Sequence, residues 1–162
     1  DRKAVMLLGD RMLAFFEKLN AMAANPVIRT AEKWFGKGVL DAYHREYRQK
    51  VQDGIDGYRA GGRDRLFHGA PSAIVVSQMP GATTGFEDAM LATQNLLLGA
   101  HAMGLGTCLI GFAVEAIRRD RSIQAAVGIP AHEKVRAVVA IGHPDERYKT
   151  VAGRRAAPIR WI

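Results

Sequence analysis

The first third of the chain carries apolar residues at the spacing of amphipathic helices. In residues 1–19 they recur every three or four positions, and the Asn25-Pro26 pair is a typical helix break. Residues 39–58 form a second, more polar region that also carries apolar residues at helical spacing, and it ends before Gly61. We therefore predict two helical regions in this part of the chain.

The second half alternates between strand and helix patterns. Residues 73–77 (AIVVS) and 135–142 (VRAVVAIG) are short, nearly continuous apolar runs, which are typical of buried strands. Between them, residues 114–127 have the pattern of a basic helix, which Gly128 and Pro130 should end. We therefore expect two core strands with helical segments between them.

The most informative segment is residues 88–112, DAMLATQNLLLGAHAMGLGTCLIGF. Thr84 and Glu87 have capping-box spacing, which predicts a helix that begins at Thr84. Its few polar positions fall near one line and almost everything else is apolar or small, so we expect burial over most of its circumference. Gly104 should end this helix, and residues 105–112 should be extended or turning.

Two interpretations of the glycine-rich turn stay open on local sequence alone. The glycines of the GLGT motif at 104–107 follow a helix, whereas dinucleotide-binding glycines lie between a strand and the next helix. A helix C-cap with a simple turn explains them. Alternatively, Leu109, Ile110 and Gly111 expose backbone amides to a planar heteroaromatic ring, and Gly111 permits close approach because it has no side chain.

Length and composition restrict the class of protein. A chain of 162 residues with 48% hydrophobic residues suits one domain with one core. No apolar run approaches the roughly 20 residues of a membrane span. The single cysteine, Cys108, excludes a disulfide framework and a cysteine-built metal site within one chain, so a cytoplasmic location is expected.

Charge suggests an anionic ligand. The net charge is +7, from 23 basic and 16 acidic residues. We predict no nucleic-acid partner, because the chain has neither an aromatic-interleaved RNA motif nor zinc-finger spacing. Lys149, Arg154 and Arg155 belong to a basic C-terminal tail. This tail is either a solvated charge run or a phosphate clamp.

We nominate no catalytic side chain and no metal site. His101 lacks the His-x-x-x-His spacing with which a helix holds zinc. Ser72 and Ser77 lack the glycine-flanked elbow of a hydrolase nucleophile, and no carboxylate pair suggests glycoside chemistry.

Four segments, taken together, resemble the nitroreductase family of flavin enzymes, notably the subgroup often fused to ferredoxin-like domains. Their order and spacing agree with the family, and the second is the most specific. The segments are FHGAP followed by AIVVS, the 88–112 segment, GIP followed by VRAVVAIGHP, and RYKTVAGRRAAPIRW.

The resemblance implies an α+β fold with a mixed β-sheet flanked by helices in α-β-α layers, usually as an intertwined homodimer with FMN at the subunit interface. By position, residues 109–111 lie near the flavin ring, with a backbone amide near its N5. Lys149 and Arg154 contact the phosphate, and Arg155 takes that role if the register slips by one.

The implied activity is that of an FMN-dependent oxidoreductase. Electrons pass from NADH or NADPH, or from a ferredoxin-like donor, through the flavin to a nitroaromatic, quinone or similar small-molecule acceptor. The cofactor carries this chemistry, so the resemblance requires no catalytic side chain.

One part of the family pattern is missing from this sequence. The Arg-Arg-Ser-type stretch and the Pro-Ser and Asn-rich segment of the family's N-terminal part have no counterpart here. We expect residues 1–162 to form a single nitroreductase-like domain that lacks the N-terminal part of the full-length protein. The alternative function is a non-catalytic flavin-binding or dimerisation module with an incomplete site.

Overall fold

The computed structural model describes residues 1–36, 38–62, 64–145, 149–150, 153, 155–156, 158 and 160–161, except for the side chain of Phe35. Within these residues the chain forms seven helices and three strands. In chain order they are α1 (Arg2–Ala24), α2 (Pro26–Phe35), α3 (Val39–Glu46), α4 (Arg48–Arg59), β1 (Ser72–Gln78), α5 (Gly85–Ala102), β2 (Gly106–Leu109), α6 (Gly111–Arg119), α7 (Arg121–Ala126) and β3 (Lys134–Gly142).

The helical N-terminal part contains four helices where two regions were predicted. The predicted break at Asn25-Pro26 is confirmed, but a new helix starts there. The Asn25 side chain accepts hydrogen bonds from the amides of Val27 at 2.9 Å and Ile28 at 3.4 Å, and Pro26 occupies the first turn, where proline is favoured. The second predicted region is divided at Tyr47 into α3 and α4.

The sheet has the strand order β1-β3-β2, and its three strands pair antiparallel. Val75 pairs with Val138, and Cys108 pairs with Ala140. The two predicted strands are confirmed as β1 and β3, and β2 is the extended part of the 105–112 segment. Helices α1, α5 and α6 contact the sheet, so the predicted α+β fold is confirmed.

The core lies where α1 and α6 meet the central strand. Met12 of α1, Ile117 of α6 and Val138 of β3 are fully buried in one hydrophobic cluster. The small residues Ala113 and Ala116 face the same core and allow α6 to approach β3 closely. This packing holds the first turn of α6 in a defined position.

Helix α5 begins after Thr84, as predicted, but its capping differs from the prediction. The Thr84 side chain makes no cap hydrogen bond, and its hydroxyl donates to the Asp88 carboxylate at 3.0 Å. The predicted reciprocal capping box between Thr84 and Glu87 is therefore wrong. The Thr84 hydroxyl contacts the Asp88 carboxylate, whereas in a capping box it would accept a hydrogen bond from the backbone amide of Glu87.

The predicted burial of α5 over most of its circumference is also wrong for the single chain. Its buried residues are Gly85, Ala89, Thr93 and Ala100. Phe86, Leu91 and Leu98 remain 51%, 66% and 58% exposed. The apolar pattern of α5 thus describes a surface that the described part of this chain does not cover on its own. In the described residues no helix is both long and apolar enough to cross a membrane.

Candidate functional site

Strand β2 passes almost directly into helix α6. Residues 106–109 pair with β3, and one residue, Ile110, separates the end of β2 from the start of α6. The Ile110 amide donates to the carbonyl oxygen of Val138 at 2.8 Å, and the Ile110 side chain is buried. The sheet therefore determines where the first turn of α6 lies and how it is oriented.

Two backbone amides at this junction have no partner among the residues that the structure describes. Ala113 and Val114 donate to the Ile110 carbonyl at 3.1 and 3.4 Å, whereas Gly111 and Phe112 occupy the first two helical positions, which no carbonyl of the same helix can reach. Within the described part of the chain, no backbone bond to another element uses these two amides. No side chain caps the helix at Ile110. The N-terminus of α6 therefore presents two donors and a partial positive charge.

This arrangement corrects one expectation about the backbone. The Ile110 amide was expected to be exposed, but it is committed to Val138. The donors at this site are instead the amides of Gly111 and Phe112. Sequence reasoning missed Phe112 because it placed the start of the helix at residue 114, whereas α6 begins at Gly111. Whether Ile110 contacts a ligand in another way stays a prediction.

The space in front of the junction is open. A Cβ atom added to Gly111 would meet no atom within 4 Å, and the Leu109 side chain is 55% exposed. A flat molecule could therefore approach the backbone at Gly111 without displacing any residue that the structure describes. The geometry fits the predicted role of residues 109–111 beside a ring, which stays a prediction.

The aromatic ring of Phe112 anchors the start of α6 to the helical N-terminal part. It packs edge-on against Phe16 of α1, with ring centroids 5.5 Å apart, and against Tyr47 at 6.5 Å. Edge-to-face pairs at these distances are favourable beyond the area they bury. The amides at this junction are therefore held by the sheet on one side and by an aromatic cluster on the other.

A partly buried polar network adjoins this cluster. The hydroxyl of Tyr43 donates to the Asn20 side chain at 2.8 Å, and Asn20 donates to Gln52 at 2.9 Å. Burial raises the pKa of Tyr43 to about 12, although the positive charge of Arg48 opposes the shift. Tyr43 also stacks on Tyr47, so the network supports the ring that contacts Phe112.

The predicted phosphate-binding residues lie in the segment after β3. Lys149 and Arg155 are exposed, and Arg154 lies outside the described residues. Their role as a phosphate clamp stays a prediction. For metals, the described ranges contain no group of three or more His, Cys, Asp or Glu residues that could hold an ion.

Comparison with known proteins agrees with this fold. The sequence matches the nitroreductase family over residues 12–143, from α1 to the residue after β3, and this match includes the junction of β2 and α6. A nitroreductase from Bacteroides fragilis, solved with bound FMN, is 17% identical, with a TM-score of 0.56 over 94% of this chain and 70% of its own.

An oxidised iodotyrosine deiodinase, solved with FMN and 3-iodo-L-tyrosine, has a similar fold. It is 23% identical to this chain, with a TM-score of 0.51 over 90% of this chain and 71% of its own. At these identities the two structures show the shared fold.

Proposed function

Because this chain belongs to the nitroreductase family, we propose that it is an FMN-dependent oxidoreductase whose flavin lies at the junction of β2 and α6. One observation carries the proposal: the unpartnered amides of Gly111 and Phe112 border open space where a side chain at residue 111 would otherwise stand. Bound FMN in the two structures of similar fold supports it.

The chain's own residues would bind and orient the cofactor. The amides of Gly111 and Phe112 are preorganised donors for acceptor atoms on the ring, since both are fixed at the start of α6. The exposed Leu109 side chain offers an apolar contact that keeps water away. Bound FMN supplies the electron transfer between a donor and an acceptor, so the protein contributes position and charge.

The basic tail would hold the phosphate end of FMN. Lys149 supplies a point charge, and Arg154 or Arg155 supplies a planar fork that matches phosphate oxygens. Two cations near a phosphate favour its dianionic form and raise cofactor affinity.

The exposed apolar face of α5 would be covered by a second copy of the chain. Leu91 and Leu98 lie two turns apart on one side of this helix and are 66% and 58% exposed. Large apolar side chains that line one side of a helix in this way are typical of an interaction surface. A homodimer would bury them and bring a second protomer close to α5.

For the reaction itself, we propose NADH or NADPH, or a ferredoxin-like protein, as electron donor in the cytoplasm. The acceptor would be a nitroaromatic, a quinone or a similar small molecule. The net charge of +7 favours the approach of an anionic donor.

A second candidate function is a non-catalytic flavin-binding or dimerisation module. The exposed apolar face of α5 favours it, because that face would serve dimerisation without any turnover. The two functions differ in one measurable respect: the module retains FMN but does not oxidise NADH or NADPH in the presence of a nitroaromatic acceptor.

The proposal is tested by titrating the purified protein with FMN and measuring the change in absorption at about 370 and 450 nm, where flavins absorb. We expect saturable binding and donor-dependent reduction of a nitroaromatic. Gly111→Val should weaken FMN binding about tenfold or more, since its side chain enters the space in front of the amides.

The matched control is Gly57→Val in α4, where an added side chain also meets open space but lies away from the junction. It should bind FMN as the wild type does. A wild-type protein that takes up no FMN, or a Gly111→Val variant with unchanged affinity, would refute the proposal.

A further inference from the structure

A cavity of about 510 Å³ lies between α1, α4 and the segment 64–70. Pockets that hold small molecules typically measure roughly 300–1,000 Å³. Positions 2, 5, 6, 9, 13 and 16 of α1 line one wall, and these positions form a single face of the helix. Positions 50, 51, 54, 55 and 58 of α4 form the opposite wall in the same way.

Two helical glycines keep this cavity open. Gly9 of α1 and Gly54 of α4 both line it, and a Cβ atom added to either would meet no atom within 4 Å. Neither has a φ in the left-handed region, so the backbone does not require glycine at these positions. Glycine inside a helix costs roughly 0.5–1 kcal/mol relative to alanine. At both positions the helix is less stable than it would be with alanine, and the space that a side chain would fill belongs to the cavity.

The third wall is held rigidly by one carboxylate. Asp64 accepts hydrogen bonds from the amides of Leu66 at 2.8 Å, Phe67 at 3.0 Å and Gly69 at 3.2 Å. His68 in this segment has a φ of 56°, a left-handed conformation that is strained for a residue with a side chain. The hydrogen bonds to Asp64 hold the segment in this shape. They engage both oxygens of the Asp64 carboxylate, which is the acidic group of this wall.

Three cations from separate elements line the same space: Arg2 of α1, Lys50 of α4 and Arg65 of the third wall. Tyr58 adds a hydroxyl whose pKa is raised by burial and by the nearby Asp10 and Asp64, and the Asp10 carboxylate accepts its hydrogen bond. All three cationic residues are exposed, so their charges stand in water at the rim of the cavity and attract negatively charged molecules to it. An occupant with a negative charge would give them a partner.

The rest of the lining is aromatic and aliphatic. Phe16, Tyr47, Phe67 and Phe112 face the cavity, together with aliphatic side chains such as Val51 and Ile55. Flat rings pack well against aromatic walls in offset or edge-on geometry. The walls therefore suit an aromatic body, and the cations suit an anionic group attached to it.

We propose that this cavity binds a small aromatic anion, an arene that carries a carboxylate or a sulfonate. The site goes beyond the proposed flavin function, because none of its walls requires a flavin. It adjoins the flavin junction through Phe112, whose ring lines the cavity and whose amide is one of the two free donors. A ligand here would therefore contact the residue that follows Gly111.

The test uses isothermal titration with 1-naphthoate and with its neutral analogue 1-naphthylmethanol, on the protein without FMN and on the FMN-loaded protein. We expect saturable one-to-one binding of naphthoate in both forms. Gly54→Leu should weaken naphthoate binding about tenfold or more, because its side chain fills the cavity. Gly57→Leu, in the same helix but outside the cavity, is the matched control and should bind as the wild type does.

The role of the cations in binding the anionic group is tested by the double variant Lys50→Gln with Arg65→Gln. It should lose about tenfold in affinity for naphthoate and keep its affinity for the neutral analogue. The proposal is overturned if the wild type binds no naphthoate, as it would if a polypeptide segment or a second copy filled the space. Equal naphthoate affinity in wild type and Gly54→Leu would also overturn it. Loss of FMN binding alone would not affect this result, so the two proposals fail separately.

Discussion

The backbone amide of Ile110 donates to the carbonyl oxygen of Val138 at 2.8 Å, and this bond joins the start of α6 to the central strand. The next two amides, those of Gly111 and Phe112, have no hydrogen-bond acceptor within the described part of the chain. Since Val138 is fully buried, the bond attaches the start of α6 to the core of the sheet. A cofactor that needs fixed hydrogen-bond donors would find them here.

The first prediction concerns the apolar face of α5. The double variant Leu91→Asp with Leu98→Asp should be monomeric, because a two-fold interface would lose four leucines, each worth roughly 1.5–3 kcal/mol when buried. We expect the dimer dissociation constant to rise about a thousandfold or more, as measured by sedimentation equilibrium.

The control for that variant is Thr30→Asp with Ser122→Asp, which adds the same charge to exposed polar positions on α2 and α7, away from α5. This control should remain dimeric. A wild-type protein that is monomeric at high concentration would contradict the interface outright. So would a leucine variant that dimerises as tightly as the wild type.

A second prediction concerns the basic tail. Lys149→Ala combined with Arg154→Ala should weaken FMN binding about tenfold or more, since hydrogen bonds to a charged phosphate contribute roughly 1.5–3 kcal/mol each. Affinity for riboflavin, which has no phosphate, should stay unchanged. The single variant Arg155→Ala, measured separately, distinguishes whether Arg154 or Arg155 binds the phosphate.

Lys33→Ala is the matched control for the tail, because Lys33 is an exposed lysine on α2. It should leave FMN affinity unaltered. If the tail variant retains wild-type affinity for FMN, or loses riboflavin to the same degree, the tail does not bind the phosphate.

The third prediction concerns stability at alkaline pH. Burial raises the pKa of Tyr43 to about 12, whereas an unfolded tyrosine titrates near 10. Between these values the unfolded chain releases the proton first, so the free energy of unfolding should fall as pH rises from about 10 to 12. The raised pKa of Tyr58 acts in the same direction.

Denaturant unfolding at pH 9, 10 and 11 measures this dependence. Tyr43→Phe should be less stable at pH 9, because Asn20 loses its hydrogen bond, and should show a shallower decline above pH 10. Tyr47→Phe, which changes the neighbouring stacked ring, is the control and should keep the wild-type slope. A Tyr43→Phe variant whose slope equals that of the wild type would show that another group causes the decline.

Much of the fold could be predicted from sequence because its strongest signals are local. β1 and β3 are short apolar runs between turn residues, and α5 is a long segment ended by Gly104, which adopts a positive φ. Helix α2 was not predicted, since its capping signal, Asn25 followed by Pro26, also reads as a simple break.

Two of the errors that matter for function depend on non-local partners. No periodicity shows that the Ile110 amide pairs with Val138, because that bond depends on the register between two distant segments. The apolar pattern of α5 correctly indicates a surface that avoids water, but a pattern does not tell whether the covering surface belongs to the same chain. The start of α6 was placed too late because Gly111 is a poor helix former within a helix, yet it is tolerated at the first position.

The most direct test of the account compares FMN binding by Gly111→Ala and Gly111→Pro. Both variants add a Cβ atom into open space, but alanine keeps the N–H donor, whereas proline, which is favoured at the first position of a helix, replaces it with a ring carbon. The account predicts that the proline variant folds normally but binds FMN about tenfold more weakly than the alanine variant. Equal FMN affinity in two folded variants would contradict the claim that the Gly111 amide holds the flavin.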